Sequence, residues 1–247
     1  IILNKIDLLL TRNKQIMKPS DRENKRYSTG SDNPIDYEEE FLLSILSRSK
    51  GTKLLDVGCG VGTIAVEIQK RGFDVHGIDF SSVAIEKSRK KGINAVMCNL
   101  DEGGIPFDDN SFDIVWAGDI VEHVFDPIFL LKEILRVVKN QGKILITTPN
   151  DVHLFRRLYL FITGESPQSA SYRSWGFCKH HTLFSLELLE YMLKEAEISQ
   201  YQIYSVIKIP RLGIRRHTKS KLLGALLGGV FIIESKLYKE DFILNRT

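Results

Sequence analysis

Short apolar runs alternate with longer amphipathic stretches along most of this chain. The short runs predict strands at 53–57, 74–79, 94–98, 112–117, 143–148, 199–208 and 230–237. Apolar positions at helical spacing predict helices at 35–49, 62–71, 82–91, 126–139 and 185–196. Strands that alternate with helices in this way are typical of an α/β fold with a parallel sheet and helices on both of its faces.

The same pattern divides the chain into regions. Residues 1–34 are interpreted as a flexible N-terminal arm, because residues 11–34 are polar, charged and poor in aliphatic side chains. Residues 35–247 are expected to form one domain. Within it, residues 151–184 break the alternation and are interpreted as a lid insertion, and residues 210–229 form a basic and then apolar segment before the last strand.

Composition restricts the class of protein only weakly. The 34 Lys and Arg against 31 Asp and Glu give a formal charge of +3, which is too small to indicate a nucleic acid partner. The three cysteines, Cys59, Cys98 and Cys178, have no metal-ligand spacing and favour a reducing, cytoplasmic location. Lys5 and Asp7 interrupt the apolar N-terminus, which argues against a signal peptide or a membrane-spanning helix there.

The most informative stretch is Lys53-Leu-Leu-Asp-Val-Gly-Cys-Gly-Val-Gly62, in which an apolar strand leads into three alternating glycines. A second apolar run ends in Asp79. Glycines allow close approach of a ligand to the backbone, and an acid at the end of the next strand can accept hydrogen bonds from ribose hydroxyls. Three interpretations remain open on this unit alone: a tight turn without ligand, a dinucleotide site, since Gly60 to Ala65 reads GxGxxA, or another nucleoside site.

Four further stretches, taken with this turn, carry a resemblance to a known family. They are Gly77-Ile-Asp-Phe-Ser-Ser82, Ile105-Pro-Phe-Asp-Asp-Asn-Ser-Phe-Asp-Ile-Val115, Asp119-Ile-Val-Glu-His123 and Leu131 to Pro149. In order and spacing they resemble the class I S-adenosylmethionine-dependent methyltransferases, in the branch that methylates small molecules such as ubiquinone and menaquinone precursors. The resemblance covers residues 35–150. It implies a Rossmann-like, doubly wound, seven-stranded and mostly parallel sheet whose last strand is antiparallel.

The resemblance also implies a set of residues that bind S-adenosyl-L-methionine, with S-adenosyl-L-homocysteine as product. It places Asp79 on the ribose hydroxyls and Asn99, or Asp101 if the register shifts, on the adenine amino group, although the family often has an acidic residue there. Backbone near Leu100 is expected to share that contact. The full expected set is Asp56, Gly58, Gly60, Gly62, Asp79, Phe80, Asn99, Leu100, Asp101, Ala117 and Asp119.

Three histidines are candidates for the base that receives a proton from the acceptor. The resemblance puts His123 beside the sulfonium end of the cofactor. It also implies that one of His180 and His181, which precede the helix at 185–196, faces the acceptor pocket. His123 could instead be a structural histidine at the start of a helix, hydrogen-bonded to backbone. No metal is expected, because two adjacent histidines point in different directions and no carboxylate triad accompanies them.

The acceptor is expected to be a small molecule, with a saccharide and an isoprenoid- or lipid-linked compound as two options. Leu154 to Ile162 combines an aromatic and aliphatic face with Arg156 and Arg157, and Tyr172, Trp175 and Phe177 follow. Packing of a helix on the sheet explains the same residues more simply. A cluster of basic residues between Lys208 and Lys221 precedes an apolar run, which suits peripheral contact with an anionic membrane. The same segment could instead be an ordinary loop and helix before the last strand, or a dimer contact.

The sequence therefore predicts a methyltransferase that is a monomer or homodimer. Two other functions stay open. An NAD-dependent oxidoreductase or epimerase would explain the glycines and Asp79, but the chain has no Tyr-x-x-x-Lys in support. A non-catalytic partner protein that binds the cofactor without turnover would also retain the glycine turn.

Overall fold

The computed structural model describes residues 24, 27–28, 37–49, 52–165, 180–209 and 214–236. In these residues the chain forms seven helices and eight strands. The first half contains α1 (Tyr37–Leu46), β1 (Lys53–Val57), α2 (Thr63–Gln69), β2 (Asp74–Asp79), α3 (Ser82–Lys90), β3 (Asn94–Met97), β4 (Phe112–Gly118) and α4 (Pro127–Val137). The second half contains β5 (Val138–Pro149), α5 (Leu154–Thr163), α6 (Leu186–Glu195), β6 (Tyr201–Ile209), β7 (Ile214–Thr218), α7 (Lys221–Leu227) and β8 (Val230–Lys236).

The strands form a single sheet in the order β3-β2-β1-β4-β5-β8-β6-β7. Strands β1 to β5 pair in parallel, whereas β8 is antiparallel to both β5 and β6. The prediction of a doubly wound, mostly parallel sheet with an antiparallel last strand is confirmed. The predicted count of seven strands is wrong among the described residues, because the basic segment contributes β7, which pairs antiparallel to β6 at the sheet edge.

Alternation along the strands produces two cores, one on each face of the sheet. Leu55, Val115 and Ile146 pack on the face that α4 and α6 cover. Their neighbours Leu54 and Ile114 point to the opposite face and pack with apolar residues of α1, α2 and α3. Strands buried on both faces show near-continuous apolar sequence, which is why the short runs could be recognised.

Helix boundaries follow local capping signals. Ser81, Asp126 and Ser185 each accept a hydrogen bond at the start of a helix, from the backbone amides of Ala84, Phe129 and Leu188 respectively. The observed helices begin and end within about two residues of most predicted limits, a typical uncertainty of element boundaries.

The topology creates a crevice at one edge of the sheet. From β1 the chain winds outward through β2 and β3, and it then returns to the other side of β1 as β4 and continues to β5. The carboxyl ends of β1 and β4 therefore lie at the point where the winding direction reverses. Open α/β sheets bind their ligands at such a switch point.

Candidate active site

The glycine turn after β1 is closed by main-chain hydrogen bonds to β2. The amides of Gly58 and Cys59 both donate to the carbonyl of Ile78, at 2.8 and 2.9 Å. Gly60 has a φ of 51°, in the left-handed region that favours glycine. A Cβ added there would lie 3.1 Å from the hydroxyl of Tyr27, so the Tyr27 ring packs against the side that glycine leaves bare.

Asp79 holds this loop in place from the end of β2. Its Oδ2 accepts a hydrogen bond from the Gly60 amide at 3.0 Å, and its Oδ1 accepts one from the Ser81 amide at 2.8 Å. The side chain is largely buried, with 8% of its surface exposed. Each carboxylate oxygen can accept a further hydrogen bond, so Asp79 can organise the loop and still bind a diol.

Asp56 lies under the loop, at the penultimate position of β1. It is 2% exposed, and its Oδ2 has no hydrogen-bond partner among the described residues. Burial, reinforced by the negative charges of Glu39 and Asp79, raises the pKa of Asp56 to about 8. A buried carboxyl group with an unpaired oxygen is suited to a cationic ligand, which would favour its ionised form.

The turn after β3 contains the residues expected near adenine. Asn99 is exposed, and its Oδ1 accepts a hydrogen bond from the Asp101 amide at 3.2 Å, the pattern of an Asx turn. Asp101 accepts a hydrogen bond from the Phe125 amide at 2.8 Å, which connects this turn to the loop after β4. Leu100 is half-buried against the core. These contacts are structural, and a role for Asn99 or Asp101 toward adenine stays a prediction.

The loop after β4 begins with an unusual backbone. Asp119 has a φ of 48° although it is not glycine, a conformation that is often found at functional sites. Its amide donates to the carbonyl of Thr147 at 3.1 Å, and the Thr147 hydroxyl donates to Asp119 Oδ1 at 3.0 Å. The next residue, Ile120, places its side chain 3.1 Å from where a Cβ of Gly58 would lie. This loop and the glycine turn are therefore in direct contact.

The three candidate histidines come together beside that loop. The rings of His123 and His180 are in edge-to-face contact, with centroids 5.0 Å apart. The amide of His181 donates to the carbonyl of Glu122 at 2.8 Å, and its ring stacks at a tilt on Phe125, with centroids 4.3 Å apart. All three therefore line the edge of the sheet where the glycine turn lies. Proton transfer by any of them stays a prediction.

Residues 55–146 match the family profile described as "Methyltransferase domain". Similar curated proteins include a ubiquinone biosynthesis O-methyltransferase of Acinetobacter baylyi, 33% identical over 106 residues that make up 40% of this chain and 44% of the relative. A demethylmenaquinone methyltransferase of Staphylococcus aureus is 36% identical over 118 residues, which make up 44% of this chain and 49% of the relative. The matches span less than half the length of either curated relative.

Residues 55–146 carry a methyltransferase domain. Solved structures agree on its fold: an S-adenosylmethionine-dependent methyltransferase from Thermotoga maritima has a TM-score of 0.63 at 21% identity, over 81% of this chain and 87% of that one. A Haemonchus contortus phosphoethanolamine N-methyltransferase in complex with S-adenosylmethionine has a TM-score of 0.61 at 19% identity, over 93% of this chain and 59% of that one. The resemblance to class I S-adenosylmethionine-dependent methyltransferases is thus confirmed.

The methyltransferase domain brings most of the predicted cofactor residues to one edge of the sheet. Gly58, Gly60, Gly62 and Asp79 lie together around the β1 turn, Phe80 directly follows Asp79, and Asp119 follows β4. Ala117 is fully buried within β4 and contributes to the core through its side chain. Asn99, Leu100 and Asp101 occupy the adjacent turn after β3.

Sequence reasoning missed residues of the arm that contact this edge. Asn24 accepts hydrogen bonds through Oδ1 from the Ser81 hydroxyl at 2.6 Å and the Val83 amide at 3.3 Å. The carbonyl of Tyr27 accepts a hydrogen bond from Lys87 Nζ at 2.5 Å, and the Tyr27 hydroxyl lies over Gly60. No local pattern in a polar segment signals such long-range contacts. The boundaries of the arm and the domain stay predictions.

Two buried acids near the histidines were also missed as site residues. Glu122 is 1% exposed, and burial, followed by repulsion from Asp119, raises its pKa to about 8. Asp151 is also buried, next to Arg156, with which it forms an ion pair. The position of Glu122 just after a strand, beside His123, was the one available sequence signal.

Helix α5 begins three residues after Asp151 and has no buried residue. Its exposed apolar side chains include Phe155, Leu158, Tyr159 and Phe161, the last with 88% of its surface exposed. The prediction that these residues simply pack on the sheet is therefore wrong for the helix. Tyr172, Trp175 and Phe177, the other aromatic residues of the predicted lid, lie outside the described residues.

Proposed function

We propose that this protein transfers a methyl group from S-adenosyl-L-methionine to a small-molecule acceptor and releases S-adenosyl-L-homocysteine. The observation that carries the proposal is the glycine turn of β1, held to Asp79 by the hydrogen bond from the Gly60 amide. The domain match covers the same turn.

The residues at this turn fit the cofactor chemically. Asp79 is a carboxylate at the end of β2, and its two acceptor oxygens match the two hydroxyls of a ribose. Asp56 offers a buried carboxyl group with an unpaired oxygen, which suits the cationic methionine end. Gly58 and Gly60 have positive φ values, so the main chain can turn sharply at the end of β1 and carries no side chains at these positions that would obstruct a ligand. When bound, the cofactor supplies a methyl group on a sulfonium with a good leaving group.

The protein's own contribution to the reaction is positioning and proton removal. The acceptor atom must be held near the methyl carbon, and the edge of the sheet that carries the glycine turn and the loop after β4 would hold it there. His181, or failing that His123 or His180, would take the acceptor's proton when the acceptor has one to lose. His181 is exposed and stacked on Phe125, so an acceptor can reach its ring.

We further propose an acceptor that joins a polar reactive group to an apolar body, such as an isoprenoid- or lipid-linked compound. The exposed apolar face of α5 supports this acceptor class, because the helix begins close to the acid that contacts His180. The two similar proteins, a ubiquinone biosynthesis O-methyltransferase and a demethylmenaquinone methyltransferase, support the same acceptor class. A saccharide would leave that apolar face without a ligand.

Calorimetry with three ligands tests the cofactor assignment. S-adenosyl-L-methionine and S-adenosyl-L-homocysteine should bind with affinities in the micromolar range, and NAD should not bind. Binding of NAD without binding of S-adenosyl-L-homocysteine would instead identify an oxidoreductase or epimerase. Binding of the cofactor without methylation of any compound in a cell-metabolite screen, read by mass spectrometry, would favour the non-catalytic partner protein.

Peripheral membrane contact is a second proposal for the same surface. In α7, Leu222, Leu223 and Leu226 are exposed, and this helix contacts α5. Within the part of the chain that the structure describes, no helix is long and apolar enough to cross a membrane. The basic residues between Lys208 and Lys221 would be attracted to anionic lipid, so vesicles that contain anionic lipid should sediment more of the protein than neutral vesicles do. Equal retention on both would contradict an electrostatic membrane contact.

A further inference from the structure

Glu122, His123 and His180 form a cluster of potential metal ligands. Each residue offers one ligand atom, and the three atoms lie within 4.8 Å of one another. His123 Nε2 is 3.9 Å from Glu122 Oε1. Ligand atoms around one first-row metal ion are about 3–3.5 Å apart, because each is about 2.1 Å from the metal. Small side-chain rotations would close the cluster around an ion.

The main chain holds the two contributing segments together. The carbonyl of Glu122 accepts hydrogen bonds from the amides of His181, at 2.8 Å, and Thr182, at 3.3 Å. These bonds bring His180 to the turn that contains Glu122 and His123. The positions of the three ligands are therefore set by the fold.

Surrounding side chains orient the ligands in the way that metal sites require. Glu122 Oε2 accepts a hydrogen bond from the Thr148 hydroxyl at 3.2 Å, which leaves Oε1 on the side of His123. Asp151 Oδ1 forms an ion pair with Arg156 and lies 3.8 Å from His180 Nδ1, so a small shift of the His180 ring would bring it within hydrogen-bond distance of this carboxylate, as an outer partner of a metal ligand. The second oxygen, Asp151 Oδ2, is buried without a hydrogen-bond partner among the described residues. Arg156 pairs with Oδ1 of this carboxylate, so the buried Oδ2 is a second observation, separate from the distances between the ligand atoms, that leaves room for a further positively charged partner near the cluster.

We propose that Glu122, His123 and His180 bind a divalent first-row metal ion, which takes a hydroxyl oxygen of the acceptor as a further ligand. Two imidazoles and one carboxylate suit such ions and leave coordination positions open. The sequence had argued against a metal because His180 and His181 point apart. In the fold, the partner of His180 is instead His123 from a different segment. Binding of the metal does not depend on the proposed function. Binding of the acceptor's hydroxyl oxygen to that metal does rest on the proposed function.

The chemistry that follows is methyl transfer to oxygen. An acceptor hydroxyl beside a dication would lose its proton more readily than a free hydroxyl does, and His181, which is not one of the three ligands, would take that proton. The oxygen then forms the new O–C bond while the C–S bond breaks, and the electron pair of that bond stays on sulfur. No oxidant or reductant is needed, and the metal keeps its charge. The acceptor class is therefore a hydroxyl compound, most simply one with a second oxygen positioned to bind the same ion.

Calorimetric titration of chelator-treated protein with Zn²⁺ is the first test. We expect one ion per chain with micromolar or tighter affinity, and a loss of affinity of at least tenfold in His123→Ala and in His180→Ala. Asp151→Asn should weaken binding by about 10- to 100-fold through loss of ligand orientation. His76→Ala is the matched control, because His76 also lies beside a carboxylate but belongs to β2, and its affinity for Zn²⁺ should not change.

Spectroscopy of the unaltered protein gives a second test that needs no variant to fold. With Mn²⁺ bound, pulsed electron paramagnetic resonance should detect the coordinated nitrogens of two imidazoles. Absence of nitrogen coupling, or Zn²⁺ binding that both histidine variants leave unchanged, would overturn the proposal.

Titration of the same samples with S-adenosyl-L-homocysteine separates the two proposals. Cofactor binding without a stoichiometric metal would refute only the metal site. Stoichiometric metal binding without cofactor binding would support the metal site and refute the proposed function.

Discussion

The carboxylate of Asp79 is predicted to support both the stability of the glycine loop and the affinity for cofactor. In Asp79→Ala, the amides of Gly60 and Ser81 lose a charged acceptor. A hydrogen bond to a charged group contributes about 1.5–3 kcal/mol, and water entering the space left by the side chain would restore part of it. We expect the free energy of unfolding to fall by about 2–4 kcal/mol. Loss of the ribose contacts should weaken S-adenosyl-L-homocysteine binding by about 1.5–3 kcal/mol, or about 10- to 150-fold.

Urea denaturation and calorimetry measure the two effects separately on one sample. Asp74→Ala is the matched control: Asp74 begins the same strand, its side chain is 64% exposed, and its replacement should change the free energy of unfolding by less than about 0.5 kcal/mol. A fall in stability with unchanged cofactor affinity would restrict Asp79 to a structural role. If neither quantity changed, the carboxylate would neither hold the loop nor bind ribose, and the reasoning would be refuted.

Three further predictions concern the same edge of the sheet. Gly60→Val should lower cofactor affinity at least tenfold. Gly72 also has a positive φ but has open space around it, so Gly72→Val should destabilise the fold without that loss of affinity. Calorimetry on both variants measures the difference in cofactor affinity. Burial, with the nearby charges of Glu39 and Asp79, raises the pKa of Asp56 to about 8 in the folded state. Between about pH 4 and 8 the folded chain therefore keeps a proton that the unfolded chain has lost, and stability falls as pH rises through that range. One such proton changes the free energy of unfolding by about 1.4 kcal/mol per pH unit, and Asp56→Asn should remove this dependence. If the free energy of unfolding of the variant, measured by denaturation at several pH values, changed with pH as it does in the parent, the prediction would be contradicted. His181→Ala should slow methyl transfer by about 10²–10⁴-fold with nearly intact S-adenosyl-L-homocysteine binding, and a parental rate would mean that His181 is not the base.

The parallel part of the sheet and its glycine turn were predictable because their signals are local. A strand buried on both faces must be apolar throughout, and the Gly60 turn requires a backbone that glycine adopts most easily. Both requirements act within a few residues. The position of Asp79 at a strand end was likewise readable, since parallel strands place their carboxyl ends at one edge.

Other features depended on contacts between segments far apart in the chain. The hydrogen bond between Asp79 and Gly60 spans 19 residues, and the Tyr27 hydroxyl reaches that loop from the arm. Strand β7 lies in the segment 210–229 that was described only as basic and then apolar. It was missed because an edge strand that faces water can carry charged residues and so lacks an apolar run.

The histidine cluster shows most directly what tertiary structure adds. Sequence placed His123 and His180 in separate segments, and their relation was decided by the main-chain bonds that connect Glu122 to His181 and Thr182. A ligand set needs distances of a few ångströms between side chains, which periodicity and spacing along the chain do not encode. Sequence by itself determined the α/β class, the glycine turn and the candidate residues. Only packing decided which of those residues meet, because the hydrogen bonds and burial that join them form between distant parts of the chain.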